Sequence, residues 1–259
     1  MSLLLVTRPA PDGERIAQAL RASGHDVLEA PMLRMQTLAL ELPNRPYAGV
    51  VMTSANAARA LAGHPRCAEL AKLPAFVVGA HTADAVRAVG FAEVHCAHGD
   101  RGDLAALLRA RLGASSQPLL YLAGQDRAGQ DRAGEDRTGD GELAPSGVTV
   151  VTAVVYRMVK ATRFPQAVAS ALRERQIDGV LHFSKRSAQA YIDCAKGDGL
   201  LERALAPVHF CLSHQVAEPL AAPDLVAPDL VAQCAAGIRI ASQPNEAAML
   251  ALVNAWMGA

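Results

Sequence analysis

Two stretches decide the fold: GVVMTSANAARAL, from Gly49 to Leu61, and GVLHFSKRSAQAYI, from Gly179 to Ile192. Each begins as a short apolar run, reaches a serine, and continues in small residues at helical spacing. A strand, a polar turn and a helix are predicted in both. Aligned on the serines, Ser54 matches Ser184, Asn56 matches Arg186 and Ala58 matches Ala188. A second strand and helix follows each copy, PAFVVGAHTADAVRAVG from Pro74 and PVHFCLSHQVAEPL from Pro207. Two related α/β halves are implied, each with hydroxyls and helix N-termini at strand ends. That arrangement suits an anionic ligand held in a cleft between the halves.

Working outward, strands at 49–53, 75–79, 93–96 and 118–122 alternate with helices at 55–63, 81–89 and 102–112, the rhythm of an open parallel sheet. Leu3–Thr7 is a further strand, and Asp12–Ser23 a helix with Gly24 as its stop. The segment 26–40 is extended in character, because Pro31 denies a continuous helix. After the β-branched run Val148–Val159 the α/β rhythm returns, and it lasts to Trp256. The simplest architecture is an insertion. Residues 1–36 and 158–259 form one α/β domain, 41–150 form the other, and 28–40 with 148–158 form a two-stranded linker.

The 259 residues are 51% hydrophobic and 19% charged, enough to bury two cores. Lys plus Arg and Asp plus Glu each number 25, and aromatics are 4%, so neither a basic field nor a base-stacking surface points to nucleic acid. Cys67, Cys96, Cys194, Cys211 and Cys234 are odd in number and lack a CxxC pair, which is expected of reduced thiols in a cytoplasmic protein. The opening MSLLLVTRPAP is too short in apolar residues for a signal peptide, and no run is long enough to cross a bilayer. The tandem repeats AGQDR-AGQDR-AGEDR (Ala123–Arg137) and APDLV-APDLV (Ala222–Val231) are read as loop or helix-end expansions.

Capping and ligand binding use the same geometry, so the strand-end groups carry both readings. The candidate ligand contacts are Thr7, Arg8, Thr53, Ser54, Asn56, Gly79, Thr82, Gly124, Ser184, Lys185, Ser187 and Ser213. Where Thr82 stands in the first copy, Val216 stands in the second. Tyr156, in VVYR, is placed where a phenol can donate a proton. His95-Cys96-Ala97-His98 has metal-ligand types but no second cluster to complete a site. The Gly124–Gly129 spacing lacks the Lys and Ser/Thr of a phosphate loop, and GxGxxG and GxSxG are absent.

Taken in order, VTRP at Val6–Pro9, TSANA at Thr53–Ala57, VVGAHTADAVRAVGF at Val77–Phe91, LLYLAG at Leu119–Gly124, VVYR at Val154–Arg157 and DGVLHFSKRSAQAYI at Asp178–Ile192 resemble the uroporphyrinogen-III synthase family. The resemblance implies two α/β domains joined by a two-stranded ribbon. It also implies cyclisation of hydroxymethylbilane, a linear tetrapyrrole with eight carboxylates, with ring D inverted, water lost and no metal or organic cofactor. In it Tyr156 matches the tyrosine that assists departure of the hydroxyl, Ser54 and Ser184 match cleft hydroxyls, and Thr82 and Gly124 match binding-loop positions. A monomer without nucleic-acid or membrane partners is expected. The alternatives are a non-catalytic binding protein for a small anion and, less supported, a nucleotide-dependent transferase.

Overall fold

The computed structural model describes residues 1–39, 42–97, 101–112, 117–125, 149–221 and 236–257. The chain divides into two compact units, Met1–Arg34 with Val159–Ala259, and Met35–Met158. It therefore leaves the first unit once and returns to it once.

In the first unit, five strands form a parallel sheet: β1 (Leu3–Val6), β2 (Asp26–Glu29), β9 (Gly179–His182), β10 (Val208–Cys211) and β11 (Ile238–Ile240), in the spatial order β11-β10-β9-β1-β2. In the second unit, β4 (Gly49–Met52), β5 (Ala75–Val78), β6 (Val94–Ala97), β7 (Leu119–Gly124) and β8 (Val150–Lys160) are parallel in the order β8-β7-β4-β5-β6. A sixth strand, β3 (Leu33–Thr37), lies beside β8 on the outer edge. The N–H of Leu38 donates to the carbonyl of Val155 (3.0 Å), and that of Ala161 to Met32 (3.0 Å), so β3 and β8 run antiparallel.

The two sheets share one spatial plan with different chain starts. In each, the serine-bearing strand (β4 or β9) has its two successors on one side, β5-β6 or β10-β11. On the other side lies a strand pair, β7-β8 or β1-β2. The units are circular permutations of one another. Parallel sheets covered on both faces read as unbroken apolar runs, and β4, β7 and β9 are buried at every position. Alternate residues serve opposite faces: Leu5 and Val180 join one cluster, Leu4, Val6 and Leu181 the other. In the second unit Val50, Met52 and Leu122 face one cluster, and Val51, Leu119 and Tyr121 the opposite one. The helices that follow the serines, α2 (Ala55–Ala62) and α7 (Lys185–Gly197), pack through Ala57, Ala58 and Leu61, and through Ala188, Tyr191 and Ile192.

A matched close approach strengthens the kinship. A Cβ on Gly49 would stand 2.9 Å from Cε2 of Phe76, and one on Gly179 would stand 2.7 Å from Cε2 of Phe210. Each glycine opens its serine strand, and each phenylalanine comes from the next strand, opposite Val51 and Leu181 respectively. Gly179→Ala is expected to destabilise the protein by ~1–3 kcal/mol, because a methyl group must displace a packed ring. Gly63→Ala, where a Cβ meets nothing within 4 Å, is the control and should be nearly neutral. Urea midpoints at constant m-value measure both.

Two features differ from the sequence reading. Leu28 and Glu29, expected in a linker, pair with Leu5 and Val6 as the end of β2. Val150–Tyr156, also expected there, pair with Leu119–Gly124 along the full length of β7. Hydrogen bonding to an exposed strand edge outweighs connector status in both cases. Among the described residues, Cys67, Cys96, Cys194 and Cys211 form no disulfide, and no group of three His, Cys, Asp or Glu is disposed to hold a metal ion. No described helix is long and apolar enough to cross a membrane. Cys234, most of the AGQDR repeats and all of the APDLV repeats lie outside the described residues.

Candidate functional site

In an open parallel sheet a crevice forms at the carboxyl ends of the strands where the chain order reverses. In the second unit that point lies between β4 and β7, because the chain runs outward from β4 to β6 and resumes on the far side at β7. Met52 is flanked in register by Val77 and Leu122. Thr53 and Ser54 therefore leave the sheet between the ends of β5 and β7, beside Gly79 and Gly124.

Ser54 is extended (φ −150°, ψ 137°) and caps α2, its Oγ accepting from the N–H of Asn56 at 3.3 Å. Ser184 has almost the same backbone (φ −151°, ψ 148°) and caps α7, its Oγ accepting from the N–H of Ser187 at 3.1 Å. The two serines differ in what their protons do. Ser184 donates to Ser187 Oγ at 2.9 Å, whereas the Ser54 hydroxyl has no acceptor among the described residues. Asn56, in the first turn of α2, accepts from Arg59 Nη1 at 3.0 Å and turns its Nδ2 to the sulfur of Met158, 3.7 Å away.

Gly79 precedes α4 (Ala80–Ala88) with φ +78°, and no side chain caps that helix start. The left-handed backbone explains glycine here, and open space beside its Cα leaves the first N–H groups of α4 approachable. Thr82 lies buried in the first turn of α4.

Tyr156 is the most distinctive group of this edge. The register between β7 and β8 shifts at Ala123/Gly124, so that Ala123 faces Val154 and Gly124 faces Tyr156. The N–H of Gln125 then donates to the Tyr156 carbonyl at 2.9 Å. The ring lies directly over Gly124 and joins the same apolar cluster as Ala57 and Ala58 of α2, with Met158 packed against it. Only 6% of the residue is exposed, and its hydroxyl bonds to no described residue. With no partner among the described residues, this hydroxyl is available to donate or accept a hydrogen bond.

Several of the expected contact residues have partners within the protein. Thr7 is fully buried and its Oγ1 donates to the carbonyl of Leu181 at 2.7 Å, which ties β1 to β9 where that sheet's order reverses. Thr53 Oγ1 stands 3.1 Å from the hydroxyl of Tyr121, a residue 1% exposed in the cluster on the other face from Tyr156. Ser187 is buried under Ser184. Thr7 and Ser187 are buried and Thr53 is half-buried, and each hydroxyl already has a partner inside the fold. Lys185 is ion-paired with Glu218 on the surface. Arg8 lies over the Phe183 ring (5.0 Å) and pairs with Glu246 (2.8 Å) and Asp12 (3.5 Å). Ser213 precedes the four-residue helix α9 (His214–Ala217) without capping it, and Val216 is buried.

Sequence reasoning passed over a buried polar pair, His182 on β9 and His209 on β10. Both are fully buried, their rings stack with centroids 5.3 Å apart, and Nε2 of His182 is 3.1 Å from Nδ1 of His209. The available signal was a histidine inside each of two otherwise apolar parallel strands.

Two α/β units built on parallel strands, one inserted into the other, with hydroxyls and helix starts at strand ends, define a two-domain α/β protein. The sequence matches the family model described as "Uroporphyrinogen-III synthase HemD" over residues 14–233, and the chain belongs to that family. Among solved structures, uroporphyrinogen-III synthetase from Helicobacter pylori 26695 is 20% identical and covers 99% of this chain and 100% of its own, with a TM-score of 0.58. A mutant uroporphyrinogen III synthase from the extremely thermophilic bacterium Thermus thermophilus is 13% identical over 100% of this chain and 98% of its own, with a TM-score of 0.49. Of these two, the first is close enough in shape to speak for the fold. A search of curated proteins finds no match.

Proposed function

We propose that this chain is a cyclising lyase that closes hydroxymethylbilane to uroporphyrinogen III, inverting ring D and releasing water. The family match over residues 14–233 carries the reading. The substrate presents eight carboxylates, and helix starts with hydroxyls recognise carboxylates without needing a cofactor. The groups proposed to hold them are Ser54, Asn56, Gly79 and Thr82 in one unit, and Arg8, Ser184 and Ser213 in the other.

Chemically, the terminal hydroxyl leaves as water once a proton reaches it, and the electron-rich pyrrole stabilises the resulting azafulvenium cation. The substituted carbon of ring D attacks that cation and forms a spiro intermediate. Bond migration and loss of a ring proton then complete the macrocycle, so one water leaves in all. Tyr156 is the proposed donor to the departing hydroxyl. The remainder of the task is orientation and exclusion of direct closure. We further propose that the protein works as a cytoplasmic monomer, without nucleic acid or membrane.

The test is direct. Purified protein is supplied with hydroxymethylbilane and the ring isomers are separated. Type III product is expected; the type I isomer alone, as in unassisted closure, overturns the reading.

A further inference from the structure

Gly124 ends the central strand β7 on one side of the reversal point, and its backbone is not left-handed. No turn requires glycine here. What requires it is the ring of Tyr156. A Cβ on Gly124 would stand 2.6 Å from Cζ, 2.8 Å from the hydroxyl oxygen and 2.9 Å from Cε2 of that ring. All three contacts fall at the reactive end of the phenol, not at its stem. The register shift at Ala123/Gly124 places Tyr156, rather than Val155, opposite the glycine. Such irregularities re-aim a side chain while the strand continues. The Gln125 N–H to Tyr156 carbonyl bond fixes the backbone immediately beyond the shift.

We infer that Gly124 is a positioning residue: with the adjoining register shift it forms a seat that fixes the hydroxyl of Tyr156 in the place where it delivers a proton. This rests on the cyclase reading, and it replaces the expectation that Gly124 contacts substrate. A methyl group at this position forces the phenol aside by roughly an ångström, and a displacement of that size is costly where proton transfer depends on reach. The glycine acts only through the ring, so its effect vanishes when the hydroxyl is already gone.

The experiment is a double-mutant cycle of Gly124→Ala and Tyr156→Phe, with type III product formation measured at saturating and limiting substrate. Gly124→Ala alone is expected to lower kcat about tenfold or more and to change KM less than about twofold. In the Tyr156→Phe background the same substitution is expected to change kcat less than about twofold. Unchanged kcat in Gly124→Ala, or an equal loss in both backgrounds, overturns the inference. A wild-type protein that makes no type III isomer overturns the cyclase reading instead, so the two failures are distinct. Should Gly124→Ala not fold, the pair Gly124→Ala with Tyr156→Ser decides. Removal of the ring must then restore the melting temperature of Tyr156→Ser alone, and failure to do so shows that the ring is not what the glycine accommodates.

Discussion

Replacing Tyr156 by phenylalanine is expected to lower kcat for type III ring formation by about a hundredfold while KM and the melting temperature stay where they are. A positioned general acid contributes typically about 10²–10⁴-fold, and the pyrrole's own capacity to expel hydroxide puts this site at the lower end. Phenylalanine fills the seat over Gly124 and keeps the contacts with the α2 cluster, so packing is preserved. Only the oxygen is lost. Since that oxygen bonds to no described residue, its removal strands no partner inside the described protein. A kcat equal to that of the wild type removes Tyr156 from its assigned role.

Acid is expected to destabilise the first unit through the paired imidazoles of β9 and β10. Desolvation comes first in both cases. It brings His209 down to about 4 against partial opposition from the carbonyls of Leu205 and Ala204, and holds His182 well below its ordinary value of 6.5, where the neighbouring His209 depresses it further. The 3.1 Å bond between the rings needs one nitrogen to donate and the other to accept, which two neutral imidazoles satisfy and two cations do not. Tyr191 closes the pocket edge-on, with centroids 5.1 Å from His182 and 6.0 Å from His209.

With both folded-state values depressed, the contribution to stability is complete above about 6.5, where the unfolded chain is also neutral. It is lost as pH falls through that value toward about 4, because only the unfolded chain takes up protons in this window. For His209 alone the loss amounts to ~3 kcal/mol, a large part of the stability of an ordinary domain. Urea midpoints at about pH 7.5 and about pH 4.5 should therefore diverge in the wild type and diverge less in His209→Gln, where His182 alone remains depressed. Equal pH dependence in both proteins removes the imidazoles as its cause.

Much of the architecture was legible because parallel strands and amphipathic helices leave local patterns. The serine turns are the best case: Ser54 and Ser184, matched by the sequence pattern around them, adopt backbones that differ by 1° in φ and 11° in ψ. Both cap the helices that the small residues announced. What stayed hidden depends on partners brought in from other strands. Thr7 and Thr53 look like open strand-end hydroxyls until Leu181 and Tyr121 arrive beside them. Gly49 and Gly179 are ordinary letters until Phe76 and Phe210 cross over them. The Gly124–Tyr156 seat needs a register shift that no periodicity encodes. Charge partners were hidden for a related reason, since Glu218 beside Lys185 and Glu246 beside Arg8 come from distant parts of the chain.

The antiparallel pair β3 and β8 has a practical corollary. Leu38 meets Val155 across it within the inserted unit, and Met32 meets Ala161 within the outer one. Each unit thus has its own cut ends side by side. Excision of the inner segment is expected to leave ends in the outer unit close enough for a tight hairpin of a few residues to join. Such surgery trims only the ends of β3 and β8, which cross the boundary between the units, and leaves the other strands of both sheets intact.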